Sequence, residues 1–154
     1  MNDDENFMVG EERSIDLNIS DHYFRLTTEG VRLHSNLEGR YTSLSDIVND
    51  RARLACSIVK AYEVDDLRKH LHFIPADGDV SIKLTILENS AESIEHAIPQ
   101  LTEALGSSVR FGEAVSLLLF DWIAERHSTE IVMKLGLSAE EAELYSQSFR
   151  RRRK

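Results

Sequence analysis

Two short stretches of this 154-residue chain place hydrogen-bonding side chains at every second position: Ser14, Asp16 and Asn18 in one, Ser81, Lys83 and Thr85 in the other. Together they supply an ammonium, a carboxylate, a carboxamide and three hydroxyls, a set suited to recognition by hydrogen bonds rather than to bond-making. The residues that usually carry catalysis or hold metals are arranged differently. His70 and His72 have no cluster of further ligands beside them, and His22, His34, His96 and His127 are scattered, so no metal and no cofactor is expected. The single cysteine, Cys56, falls on the apolar side of a helical segment and reads as a core thiol rather than a nucleophile. No phosphate-binding glycine loop, nucleophile elbow or pair of catalytic carboxylates is present, and the expectation is that the protein is not an enzyme.

Positioning the six polar side chains requires extended backbone. Ile15, Leu17 and Ile19 alternate with them in the first stretch, as do Ile82, Leu84 and Ile86 in the second, so each reads as a half-buried strand with its aliphatic side chains on one face. A lone strand leaves an edge of backbone groups and an apolar face unsatisfied; two such strands can satisfy each other, with helices covering the six aliphatic residues. Laying the chain on itself at a shift of 67 residues supports two copies of one unit. Ser14 to Ile19 falls on Ser81 to Ile86, Val31 on Ile98, Gly39 on Gly106, and Asp46-Ile47-Val48 on Glu113-Ala114-Val115.

Each copy reads as a strand, a polar stretch, a helix (about Thr27 to Leu37, and about Ala91 to Leu105), a glycine where a left-handed helix end favours one, and a second helix. In copy one, Ser43 precedes Asp46 by three in the manner of a capping box, and Leu44, Ile47, Val48, Arg51, Ala52 and Ala55 follow at helical spacing. In copy two, Ala114 to Ile123 is apolar on nearly every face and should be the central helix of the core. Gly30 and Pro99 interrupt the first helices, and Pro99 predicts a kink or a split. The expected fold class is therefore α+β and mostly helical. Two strand-helix-helix repeats, at 13–60 and 80–127, share one two-stranded antiparallel ribbon, with short helices after them. Around them lie a disordered acidic N-terminus at 1–12, a linker at 61–79, a helical extension at 128–149 and a basic tail at 150–154. The linker holds a short helix from Val64 to Leu71 and a turn from Pro75 to Asp79, and the extension carries a further capping pair, Ser138 and Glu141.

The net charge of −9 is unevenly spread. Residues 1–12 hold five acids and no base, and the tail holds five bases, Arg150, Arg151, Arg152, Arg153 and Lys154. Residues 13–60 carry seven Lys/Arg against six Asp/Glu, whereas residues 80–127 carry three against seven. A lone cysteine and the lack of a signal-like segment point to a reducing cytoplasm. No apolar run approaches the roughly 20 residues that cross a bilayer, so no membrane partner is expected.

Strand, helix, glycine-containing turn and helix, with polar residues alternating along one short strand, resembles the ribbon-helix-helix family of Arc- and MetJ-type DNA-binding proteins over residues 13–60 and 80–127. Two copies in one chain resemble the rarer single-chain members, some of which are accessory proteins of plasmid transfer. The resemblance implies sequence-specific binding of double-stranded DNA, the ribbon entering the major groove, by a transcriptional repressor or an accessory factor of plasmid transfer (conjugation) or maintenance. It makes Ser14, Asp16, Asn18, Ser81, Lys83 and Thr85 the base contacts, with an asymmetric preferred site because the copies differ. Phosphates would meet the starts of the second helices, near Thr42, Ser43, Ser108 and Arg110, with Arg13 and the Arg150 to Lys154 tail adding sequence-independent attraction. The competing reading is a protein-interaction module on the same scaffold, without significant DNA affinity, that takes a partner through its acidic surface. On either reading the chain is a monomer with an intramolecular pseudo-dimer or, by exchange of the same surfaces, a homodimer.

Overall fold

A computed structural model of the chain describes residues 11–126, 129–132 and 134–149. The expectations for residues 1–10 and for the basic tail at 150–154 lie outside them. The described chain is α+β and mostly helical, built on one two-stranded antiparallel sheet of β1 (Glu12–Ile19) and β2 (Val80–Leu87).

The strands alternate as their sequences require. Ile19, Leu84 and Ile86 are buried, Ile15, Leu17 and Ile82 are half-buried against the core, and the intervening polar side chains point the other way. β1 begins at Glu12, inside the segment expected to be disordered. Glu12 lies opposite Leu87, and the Glu11 carbonyl accepts from the Glu88 amide at 2.7 Å, so the ladder's own hydrogen bonds extend order past what acidic composition suggested.

The polar stretches expected after the strands are instead helical. Ser20 caps α1 (Asp21–Glu38) by accepting from the Tyr23 amide at 3.0 Å. The buried face of α1 is Tyr23, Leu26, Thr27, Gly30 and His34, and its first turns contribute only Tyr23 and Leu26, too few to show an apolar period. After β2 a second long helix (Glu88–Leu105) follows without a break. Both helices run 18 residues and end on a glycine in the left-handed region, Gly39 at φ 73° and Gly106 at φ 77°. The helix containing Pro99 is unbroken; Glu95 and Pro99 are both exposed, so water can serve the carbonyl whose partner the proline removes.

A further helix follows each glycine turn: α2 (Leu44–Arg51) after Gly39 and a longer one (Phe111–Glu125) after Gly106. The shift of 67 that aligns the strand sequences also carries Asp21–Glu38 onto Glu88–Leu105 and Leu44 onto Phe111. Ala114 through Ala124 are all buried, which puts the Phe111–Glu125 helix at the centre of the core.

After α2 the backbone tightens into a 3-10 stretch, Ala52–Ser57, before α3 (Ile58–Ala61). With three residues per turn, Ala52, Ala55 and Ile58 face inward and Cys56 faces solvent. Cys56 is therefore not a core thiol; the change of helical period turned it outward. The connecting segment is packed, not loose: α4 (Val64–Phe73) buries Leu67 and His70, and Ile74 follows them into the core. Its far end runs against the end of β1, where the Gly78 amide reaches the Asn18 carbonyl at 3.2 Å. A Cβ on Gly78 would lie 2.4 Å from the Ile19 carbonyl oxygen and the Ser20 Cα, an approach only glycine permits.

The elements after α4 are numbered α5 (Glu88–Leu105), α6 (Phe111–Glu125), α7 (Thr129–Val132) and α8 (Ala139–Ser146), the last capped reciprocally by Ser138 and Glu141. Among the described residues no helix is long and apolar enough to cross a membrane.

Candidate nucleic-acid interface

The ribbon register sets Ser14 opposite Thr85, Asp16 opposite Lys83 and Asn18 opposite Ser81. The six residues expected to touch bases therefore stand on one face as three cross-strand pairs. The Ser14 and Thr85 hydroxyls are 2.8 Å apart, and the Ser81 hydroxyl donates to Asn18 Oδ1 at 2.7 Å. Between these two pairs, Lys83 Nζ stands 3.8 Å from Asp16 Oδ1, with the side chains 65% and 81% exposed. Water screens an ion pair this open, so either partner can be exchanged for a ligand group at little cost. Asp16 and Lys83 lie 67 residues apart, the shift that aligns the strand sequences, and are each other's partners, so the local twofold axis of this antiparallel strand pair passes between them.

The cations are less available than the sequence implied. Arg13 donates through Nη1 to Glu95 Oε2 at 2.6 Å and through Nε to Glu88 Oε1 at 3.1 Å, and its Nη2 also meets Glu88. The hydrogen bonds to Glu88, then Glu95, raise the Arg13 pKa further, while Arg13 holds the Glu88 carboxyl below the usual range. Arg110 donates to Asp77 Oδ1 at 2.7 Å and stands 3.6 Å from Glu113, so the Asp77 carboxyl is also held low. Neither arginine is the free cation a phosphate contact would start from.

The second-helix starts are similarly furnished from within. Ser43 and Asp46 form a complete capping box, with the Ser43 amide donating to Asp46 Oδ2 at 3.0 Å and the Asp46 amide to Ser43 Oγ at 3.2 Å. At the start of α6, the Arg110 amide donates to Glu113 Oε1 at 2.9 Å. Thr42 is bound inward, its hydroxyl 2.8 Å from His34 Nδ1 and 2.9 Å from Ser35 Oγ. Ser108 is exposed in the turn before α6. A groove beside β1, lined by Asp16, Leu17, Asn18, Asp77, Arg110 and Glu113, joins the ribbon edge to the start of α6. The remaining expected phosphate contacts, Arg150 to Lys154, lie outside the described residues.

Three carboxylates that modify the interface, Asp77, Glu88 and Glu95, gave no signal in the sequence, because their arginine partners are 33 to 82 residues away. His70, weighed in the sequence only as a metal ligand, has a buried structural role. Its ring is fully buried, with Nδ1 2.8 Å from the Tyr145 hydroxyl and Nε2 2.7 Å from Ser116 Oγ, and burial drives its pKa down to about 3. With both nitrogens taken by hydroxyls, it is a structural histidine joining α4, α6 and α8. Among the described residues, no three His, Cys, Asp or Glu side chains gather as a metal site.

The chain matches no protein-family model, no curated protein sequence and no solved structure. Its fold and surface define an α+β chain with a two-stranded ribbon whose outward face is polar and uncovered by any described element.

Proposed function

We propose that the chain is a single-chain DNA-binding protein of ribbon-helix-helix type, which places the β1–β2 ribbon in the major groove of double-stranded DNA. The observation that carries this reading is the register: the residues that the repeat makes equivalent, Asp16 and Lys83, are paired across the ribbon. Two 18-residue helices with matching boundaries and glycine ends support the same pseudo-dimer. The major groove admits a two-stranded ribbon, and the six outward side chains are of the types that read base edges. Both strands come from one chain, so a monomer in light scattering is the expected state. A repressor or a plasmid-transfer or maintenance factor is the role this site fits.

The test is binding of the full chain to duplex DNA from a random pool at low ionic strength, repeated as salt is raised. Affinity should fall with a log–log slope of about −0.9 for each phosphate neutralised. Lys83→Glu should lower affinity at least about tenfold, by replacing a donor with a second acid beside Asp16. No salt-dependent binding by the wild-type chain refutes the reading.

The in-chain capture of Arg13 and Arg110, with the acids at the second-helix starts, favours a second reading: an interaction module that binds a basic protein surface. Its mark is a basic partner retained by Lys83→Glu but lost when Glu92 and Glu103, exposed acids of α5, are neutralised.

A further inference from the structure

We infer that the Asp16–Lys83 pair reads one G·C base pair in a fixed orientation and so gives the bound DNA a direction. This rests on the ribbon reading proposed above. The pairs on either side of the axis nearly repeat each other. Ser14 with Thr85 is hydroxyl against hydroxyl, and Asn18 with Ser81 is carboxamide against hydroxyl, all four neutral and able both to donate and to accept. The central pair has neither property. Lys83 can only donate and Asp16 can only accept, and they face each other across the axis.

A ribbon lying along the major groove directs its cross-strand pairs from one DNA strand towards the other. At its centre the donor and the acceptor therefore meet the two halves of a single base pair. Guanine presents two adjacent acceptors, N7 and O6, and its cytosine presents the N4 amino donor. Lys83 on guanine with Asp16 on cytosine satisfies every group. Turned by half a revolution, the same ribbon sets a carboxylate against guanine's acceptors and an ammonium against an amino group. Asp16 on a DNA-facing surface is otherwise a liability, since a carboxylate near phosphates is repelled. It becomes a selective element when an amino donor stands opposite it. Both side chains are open enough to leave each other for the bases without disturbing the core.

The experiment uses the wild-type full chain and the exchange variant Asp16→Lys/Lys83→Asp, which keeps the ion pair and the ribbon's charge. A site is selected from random duplex DNA with the wild type, and each of its base pairs is then inverted in turn. The wild type should lose roughly tenfold when the central G·C becomes C·G, because turning the ribbon half a revolution to restore the centre sets Asn18 and Thr85 on each other's bases and mismatches those instead. The exchange variant should prefer the inverted centre by a similar factor and keep the wild-type preferences elsewhere. Salt-dependent binding in which inversion of the centre has no effect, or in which the variant keeps the wild-type preference, overturns this inference and leaves the ribbon reading standing. Failure of both proteins to bind duplex DNA removes both.

Discussion

The buried imidazole of His70 makes stability depend on pH between about 5 and 6.5, above the range of the shifted carboxylates among the described residues. Its pKa is about 3 in the folded chain and about 6.5 when exposed, the direction expected of a base stripped of water. Both hydroxyl oxygens around it can accept, so desolvation rather than a missing partner opposes the charged form. A depressed histidine favours the folded state fully above pH 6.5. Below that, the unfolded chain takes up a proton the folded chain refuses, and stability falls. Each pH unit costs about 1.36 kcal/mol, so from pH 6.5 to pH 5 the loss is about 2 kcal/mol, whatever the folded pKa is within the range below about 4. Asp77 and Glu88 are also depressed, but from carboxylate values, so their contributions fade at lower pH. The assay is urea unfolding at pH 7.5 and pH 5, followed by the fluorescence of the chain's one tryptophan, Trp122, which is 2% exposed. Replacing His70 by Gln removes the titrating group, and the other histidines are common to both proteins. The wild type should lose about 2 kcal/mol more than His70→Gln between the two conditions. Equal losses would mean that His70 is charged or solvated in the folded chain, and the placement of α8 against α4 would be wrong.

Two glycines make opposite predictions. Gly30 lies inside α1, where a Cβ would sit 3.9 Å from Ile47 Cδ1 and Trp122 Cζ3, so Gly30→Ala should stabilise by about 1 kcal/mol and raise Tm by roughly 2–4 °C in calorimetry. Gly78→Ala forces a methyl onto the backbone at the end of β1 and should cost about 1–3 kcal/mol in the same urea assay.

The parts of the fold legible in the sequence are those written in short-range patterns. Period-two alternation marked β1 and β2, Gly39 and Gly106 marked the ends of α1 and α5, and the mostly apolar run from Ala114 to Ile123 marked α6. Where the signal failed, a long-range partner or a change of period was responsible. Cys56 turned outward because the backbone after α2 winds at three residues per turn, which no residue type nearby announces. The first turns of α1, before Thr27, were missed because they bury only Tyr23 and Leu26 and leave the apolar Phe24 exposed, so no helical period shows there. The six ribbon residues were placeable from alternation alone, but the state of Arg13 and Arg110 was not, since Glu88, Glu95 and Asp77 reach them only through the tertiary fold.

That pairing bears on how an acidic chain would bind DNA, on the reading proposed above. Non-specific affinity scales with the phosphates that free cations neutralise, and here Arg13 is matched by two carboxylates, Arg110 by Asp77, and Lys83 loosely by Asp16. On the DNA-binding reading, a phosphate contact by Arg13 or Arg110 must first give up an internal partner, whose charge then repels the backbone. A surface built this way gains little from arbitrary DNA. On the ribbon reading, discrimination then rests largely on weak binding to wrong sequences, because only a site whose bases satisfy the outward pairs returns what the internal ion pairs lose. Neutralising Asp77 as Asn should accordingly tighten binding to random duplex more than to the selected site, and so narrow the ratio between them in competition assays. An equal gain on both would mean that Arg110 contributes the same to every sequence and takes no part in selection.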